Sequence, residues 1–146
     1  MEVIRLETNQ RVVNAIRSGK INYFIREIRP ETNALFCELD EEGYVKDVDG
    51  VLQPRQYKAL RLSNGQDSCI FSIEKAVIEL FEDRNGKLIT YEVDGKEYIK
   101  AQIVYYLNGE LQEYLCSKLF PYSESVHNLD KVRRMALTRE FYLNNI

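Results

Sequence analysis

A cluster of charged residues beside one glycine is the part of the sequence best suited to binding a ligand. Gly19, Lys20, Arg26, Glu27 and Arg29 all lie between positions 19 and 29. An arginine can form two parallel hydrogen bonds with a phosphate or a base edge, whereas a lysine contributes a point charge. Arg26 could equally form a structural pair with a carboxylate on a neighbouring strand. We therefore treat the five residues as candidate ligand-binding residues and keep both roles open for Arg26.

The sequence contains few other candidates for a nucleophile, a general base or a metal ligand, and they are far apart. His127 is the only histidine, so a Ser-His-Asp or Cys-His arrangement would depend on this single residue. Cys37, Cys69 and Cys116 are widely spaced and include no C-x-x-C pair, so we expect buried free thiols. The carboxylates of Asp47-Val48-Asp49-Gly50 lack the spacing of an EF-hand and indicate a solvated loop. We expect no metal and no cofactor.

The charge of the chain is unevenly distributed. The formal net charge is −3, yet residues 1–30 carry six basic and three acidic side chains. Residues 31–50 carry seven acidic side chains and one lysine. A sequence-blind nucleic-acid binder is normally basic overall, because phosphate neutralisation supplies most of its affinity. The pattern favours local, selective recognition by the basic stretch, or a protein contact through the acidic region 31–50.

The candidate residues follow a helix and lie on a strand. After a first strand at 2–7, Thr8 or Asn9 can cap a helix of about 9–17, and Gly19 suits the left-handed position that ends it. Alternation then predicts a strand that ends at Pro30. On that strand Arg26 and Glu27 point to opposite faces.

The remainder of the sequence is rich in predicted strands. Pro30 begins a second short helix, and residues 57–62 form a strand. Two hairpin turns, Asn85-Gly86 and Asp94-Gly95, predict a three-stranded meander. Its strands are expected at 69–83, with a bulge near Glu74-Lys75, at 87–93 and at 97–107, before a further turn at Asn108-Gly109. Two short helices followed by antiparallel strands indicate an α+β domain with a curved or closed sheet.

The stretch from Val12 to about Pro30 resembles the opening of an ASCH (activating signal cointegrator homology) domain. The family signature is a helix, G-x-K-x-x-E-x-R and a strand. Gly19 and Arg26 are in register with it, whereas Ile21 and Phe24 replace the lysine and the glutamate. The resemblance continues more weakly to about position 115.

The resemblance implies a fold and a ligand class. ASCH domains belong to the PUA-like group, which are small β-barrels of mostly antiparallel strands with helices over the openings, many of them linked to RNA. We accordingly expect a PUA-like barrel with two short N-terminal helices over residues 1–116. The resemblance implies that RNA or a nucleotide-sized ligand binds in a cleft beside the first helix, near Arg26.

The resemblance does not extend to catalysis. Some ASCH proteins resemble amidohydrolases that act on acetylated cytidine with a lysine, a threonine and a glutamate. The lysine and threonine positions are Ile21 and Phe24 here, and neither side chain can activate or supply a nucleophile. The glutamate of a later strand cannot be located without an alignment. We expect a binding module, with a non-catalytic protein-interaction module as the alternative and an amidohydrolase third.

Residues 117–146 are expected to form a C-terminal extension. Leu119-Phe120-Pro121-Tyr122 interrupts regular structure, and a helix with two apolar stripes is expected from about 129. Such a helix would dock on the barrel, on a protein partner or on a second subunit. No apolar run reaches the roughly 20 residues of a membrane span, and the N-terminus lacks a signal-peptide pattern. A cytoplasmic protein with no membrane contact is expected.

Overall fold

The computed structural model describes residues 2–112, which are mostly β-structure with few helices and a curled half-barrel sheet. The first part of the chain contains β1 (Glu2–Glu7), α1 (Gln10–Arg17), β2 (Tyr23–Ile28), α2 (Asn33–Phe36), β3 (Asp47–Val48) and β4 (Val51–Leu52). The second part contains β5 (Tyr57–Ser63), β6 (Ser68–Leu80), β7 (Thr90–Val93), β8 (Lys96–Ile99) and β9 (Ala101–Leu111).

Five strands form the main sheet in the order β1-β5-β6-β9-β2. The β1–β5 pair is parallel, and the other three pairs are antiparallel. Parallel strands need a long crossover, which here contains both helices and the small β3–β4 hairpin. The order leaves β1 and β2 as the two edges of the half-barrel.

The first helix and its ends agree with the sequence prediction. The Asn9 side chain accepts a hydrogen bond from the Val12 backbone N–H at 2.9 Å, as an N-cap does. Val12, Val13 and Ile16 form the buried side of the helix. Gly19 has a φ of 78°, so the left-handed position expected after the helix is confirmed.

Alternation along β2 places its residues on the two faces of the sheet. Phe24 and Arg26 lie on the concave face, opposite Tyr105 and Ile103 of β9. The concave face and the two helices enclose one core. Its fully or almost fully buried apolar side chains include Ile4, Leu6, Val12, Phe24, Phe36, Leu60, Leu62, Phe71, Ile103 and Tyr105.

The expected three-stranded meander is confirmed at its two turns, but the long strands 69–83 and 97–107 pair directly with each other instead of flanking 87–93. β6 pairs directly with β9 from Leu80↔Ala101 onwards, and β7 and β8 form a separate two-stranded hairpin. Both turns are as expected: Glu82 pairs with Leu88 across Asn85-Gly86, and φ is 51° at Asp94 and 80° at Gly95. The long strands β6 and β9 bury their concave faces in the core, and the four-residue strands of the hairpin have too little apolar surface to displace either.

The turn expected at Asn108-Gly109 is also wrong, because β9 continues through it. Gly109 pairs with Ser72, and the register of β6 shifts between Ser72 and Lys75. That irregularity confirms the bulge expected near Glu74-Lys75. A bulge bends its strand, and the pairing is thereby continued around the curl of the sheet.

Cys37 and Cys69 are buried free thiols, as expected, while Cys116 and the predicted C-terminal extension lie outside the described residues. Within residues 2–112, no helix is long and apolar enough to cross a membrane.

Candidate functional site

The five candidate residues are distributed along β2 rather than gathered in one site. Gly19 and Lys20 precede the strand, Arg26 lies within the core, and Glu27 and Arg29 lie at the far end. The strand Tyr23–Ile28 is roughly 17 Å long at about 3.3 Å per residue. One nucleotide-sized ligand cannot contact both ends.

A cleft lies beside the C-terminal end of α1, and we call it the α1 cleft. Its volume is about 240 Å³. The lining residues come from the end of α1, the connection to β2, and strands β6 and β9: Ile16, Arg17, Gly19, Ile21, Asn22, Phe71, Leu107, Asn108, Gly109 and Glu110. Such a volume is below the range of drug-sized pockets and admits about one base or one sugar.

An ion pair borders the α1 cleft. Arg17 donates from Nε to Glu110 Oε1 at 3.0 Å and from Nη2 to Glu110 Oε2 at 2.7 Å. The hydrogen bond with Glu110 raises the pKa of Arg17, although both side chains are more than one-third exposed. A bidentate pair holds the guanidinium in a fixed orientation, and its remaining N–H groups stay available to a ligand.

Gly19 lines this cleft, and Lys20 is the next residue in the chain. A Cβ atom at Gly19 would meet no other atom within 4 Å, so the glycine is required by its φ rather than by crowding. Lys20 is exposed, and its backbone N–H donates to Ser18 Oγ at 3.4 Å. The lysine side chain can therefore add positive potential near the cleft.

Arg26 is only 1% exposed, and it is the largest of the fully buried side chains among residues 2–112. Its Nη2 donates to the backbone carbonyl of Glu7 at 2.6 Å, and its guanidinium carbon lies 5.2 Å from the centre of the Phe24 ring. Glu7 ends β1, so this hydrogen bond connects the two edge strands of the half-barrel. This acceptor is a carbonyl on the opposite edge, and the pair of Arg26 with a carboxylate on an adjacent strand stays a prediction. A contact between Arg26 and a ligand stays a prediction.

Glu27 and Arg29 join an aromatic cluster at the other end of β2. Arg29 Nη1 lies 3.5 Å from Glu27 Oε2, and the Arg29 guanidinium carbon lies 4.3 Å from the centre of the Tyr91 ring. Tyr91 stacks on Tyr98 across the β7–β8 hairpin, with ring centres 5.9 Å apart. Burial raises the pKa of Tyr91. Arg29 therefore also anchors the hairpin, through a contact that strand alternation alone does not reveal.

A second and larger cavity lies beside α2, and we call it the α2 pocket. Its volume is about 630 Å³, within the usual range for small-molecule sites. It is lined by Glu2, Ala34, Cys37, Glu38, Leu39, Lys46, Arg55 and Gln56. This pocket has no local signal in the sequence, because residues 31–50 form an acidic stretch typical of a surface and the other lining residues are distant in the chain.

The cysteine that lines the α2 pocket, Cys37, is poorly suited to act as a nucleophile. Burial raises the pKa of Cys37 to about 12, so its sulfur stays protonated at neutral pH and is a poor nucleophile. Burial likewise raises the pKa of Tyr57 to about 12, and the Tyr57 hydroxyl donates to the Leu35 carbonyl at 2.7 Å. These groups can shape and polarise the pocket but do not supply a nucleophile.

We expect Tyr105→Phe to leave stability unchanged or to raise it by about 1 kcal/mol. The Tyr105 ring is fully buried, and its hydroxyl has no hydrogen-bond partner. Burial raises the pKa of this hydroxyl well above the usual value for tyrosine, so it carries no charge that would be lost. The measurement is urea unfolding of Tyr105→Phe and of Tyr57→Phe. The second variant removes a hydroxyl that does have a hydrogen-bond partner. A loss for Tyr105→Phe as large as that for Tyr57→Phe would contradict the assignment of an unpartnered hydroxyl.

Among residues 2–112, the candidate sites described above combine polar groups with accessible space or aromatic surface. They are the α1 cleft, the α2 pocket and the cluster of Arg29 with Tyr91 and Tyr98. Comparison of the chain with protein-family models, with curated proteins and with solved structures gives no match.

Proposed function

We propose that this chain is an ASCH-like, PUA-like module that binds single-stranded RNA, or a nucleotide-sized ligand, in the α1 cleft. The observation that carries the proposal is the position of the cleft. It lies at the connection from α1 to β2, where Gly19 ends the helix, and the family resemblance places a ligand beside the first helix. A half-barrel of mostly antiparallel strands is compatible with a PUA-like barrel.

The groups around the cleft suit one base and one phosphate. The side-chain amides of Asn22 and Asn108 each offer donors and an acceptor, as the edge of a base requires. Arg17 and Lys20 lie at the cleft and next to it, and both are exposed. Single-stranded RNA presents unstacked bases that enter pockets of this size, whereas a duplex does not.

Arg26 has a supporting role in this proposal. It lies beneath the surface and connects β2 to the end of β1, so it would keep the strand that follows Gly19 in place. Direct recognition by Arg26 would require β1 and β2 to separate at this point. The exposed contacts are therefore assigned to Arg17, Lys20 and the two asparagine amides.

The proposal is tested by fluorescence anisotropy with labelled RNA hexamers and by calorimetry with free nucleotides, at two salt concentrations. Asn108→Trp fills the α1 cleft from an exposed position on β9 and should weaken binding at least tenfold. Lys87→Gln, an exposed change beyond the Asn85-Gly86 turn, is the matched surface control and should bind as wild type. Binding should depend only modestly on salt, because few phosphates are contacted.

Arg29→Ala tests whether binding occurs in the α1 cleft or at the other end of β2. Binding in the α1 cleft should be unaffected, since Arg29 lies at the opposite end of the strand with Tyr91. Equal losses in Arg29→Ala and Asn108→Trp would indicate diffuse electrostatic attraction and would contradict a site in the cleft. If the wild type binds no RNA and no nucleotide at either salt concentration, the proposed function is wrong.

A second candidate is a protein-interaction module, favoured by exposed apolar residues in the acidic region. Tyr44, Val48 and Val51 are 68%, 47% and 61% exposed. They lie among the carboxylates of residues 40–49, where a basic protein surface would find both charge and apolar contact. A failure of RNA binding, together with a binding partner that is lost in Tyr44→Ser, would support this candidate.

A further inference from the structure

The α2 pocket is built from parts of the chain that are far apart in sequence. Glu2 begins β1, Glu38 follows α2, and Lys46 and Arg55 belong to the two sides of the β3–β4 hairpin. The backbone fixes their positions: Lys46 N–H donates to the Glu38 carbonyl at 2.8 Å, and Arg55 N–H donates to the Phe36 carbonyl at 2.9 Å.

The charged groups of the pocket include both signs. Arg55 is held by Glu2, with Nη2 3.3 Å from Oε2, and its Nη1 donates to the Ala34 carbonyl at 3.4 Å. Glu38 and Lys46 are exposed neighbours on paired segments and form no ion pair with each other. A carboxylate and an ammonium group at one opening match a ligand that carries both an ammonium and a carboxylate of its own.

We propose that the α2 pocket binds a small zwitterion, namely a free α-amino acid, independently of the α1 cleft. The ligand ammonium contacts Glu38, and the ligand carboxylate contacts Lys46 and the guanidinium of Arg55. The ligand side chain lies against Ala34 and Leu39, which form the apolar part of the lining. Anions such as phosphate fit less well, because two carboxylates share the pocket with the two cations.

The first measurement is the melting temperature of the full chain with each of the twenty standard amino acids at 10 mM. At least one should raise it by about 5 °C or more, as expected at a concentration well above the dissociation constant. The N-acetyl and the amide derivatives of the best amino acid each lack one charge. Both should bind at least tenfold more weakly in calorimetry.

Two variants identify the charges that are responsible. Glu38→Gln and Lys46→Gln should each weaken binding of the best amino acid about tenfold. Lys58→Gln, an exposed change on β5 outside the pocket, is the control and should bind as wild type. RNA binding in the α1 cleft should be unchanged in all three variants, so the two sites are tested separately.

Several results would overturn the proposal. These are the absence of any amino acid that raises the melting temperature by more than 1 °C, equal binding of the N-acetyl or amide derivative, and unchanged binding by both pocket variants. A shift produced equally by 10 mM sodium phosphate would show that the pocket selects anions rather than zwitterions.

Discussion

Replacing Arg26 with alanine should lower the free energy of unfolding by about 3 kcal/mol, and the loss should not depend on any ligand. The guanidinium is 1% exposed and donates to the Glu7 carbonyl at 2.6 Å. A hydrogen bond from a charged group contributes about 1.5–3 kcal/mol, and the alanine also leaves a cavity over the Phe24 ring.

The position of this hydrogen bond increases its importance. Glu7 ends β1, and Arg26 lies on β2, so the bond connects the two strands at the edges of the main sheet. Edge strands lack a second neighbour that would hold them by a full ladder. In the alanine variant we expect faster hydrogen exchange of the amides of β1 and β2, and little change in the central strand β6.

Two control variants test whether the lost hydrogen bond causes the destabilisation of Arg26→Ala. Arg26→Met keeps much of the volume but cannot donate, so it should lose less than the alanine variant and still be destabilised by about 1–2 kcal/mol. Arg17→Ala removes an exposed ion pair with Glu110 and should cost less than about 1 kcal/mol. The measurement is urea unfolding. If Arg26→Ala lowered the free energy of unfolding no more than Arg17→Ala, the hydrogen bond between the edge strands would not contribute to stability.

The first 30 residues could be predicted well because their signals are local. Asn9 as a cap, Gly19 as a helix end and the alternation of β2 each depend on the nearest few residues. Alternation correctly put Arg26 and Phe24 on one face of β2. It could not show that this face is the interior, because burial is decided by the strands and helices that cover the face.

The strand pairing could be predicted only in part. Asp94-Gly95 reliably indicates a hairpin, but it says nothing about which strands lie beside that hairpin. The choice between a meander and a direct β6–β9 pair depends on the long-range burial of residues such as Phe71 on β6 and Ile103 on β9. At Asn108-Gly109 the turn preference of the dipeptide is overridden by pairing with the bulged part of β6.

The candidate site was predicted as one cluster because its residues are close in sequence. A strand separates such residues along its length, which places Gly19 and Arg29 at opposite ends of β2. Arg29 contacts Tyr91, which stacks on Tyr98; these tyrosines are 62 and 69 residues further along the chain, so no local pattern indicates the contact. The α2 pocket could not be predicted from local patterns either, because Glu2, Glu38 and Arg55 come together only after the crossover is folded.

Phe36→Ala should have the largest effect among the changes considered, with a loss of about 4 kcal/mol in the free energy of unfolding. Phe36 is 1% exposed in the core, and it belongs to α2, a helix of only four residues. A helix of that length has no stability of its own, so α2 depends on the burial of Leu35 and Phe36.

The same residue also positions the α2 pocket. The Phe36 carbonyl accepts the Arg55 N–H at 2.9 Å, and Cys37, the next residue, lines the pocket and bridges to Pro54. Loss of the ring should therefore loosen residues 33–56 before the main sheet unfolds. Hydrogen exchange of the Cys37 and Arg55 amides should accelerate more than that of the β6 amides.

The matched control for Phe36 is Val51→Ala, an apolar truncation in the same part of the chain. Val51 is 61% exposed, so its truncation should change stability by less than about 0.5 kcal/mol. If Phe36→Ala does not fold, Phe36→Leu keeps most of the apolar volume and should still lose about 1 kcal/mol in urea unfolding. Equal stability of Phe36→Leu and wild type, with unchanged exchange at Cys37, would mean that α2 is held by its backbone contacts rather than by the aromatic ring.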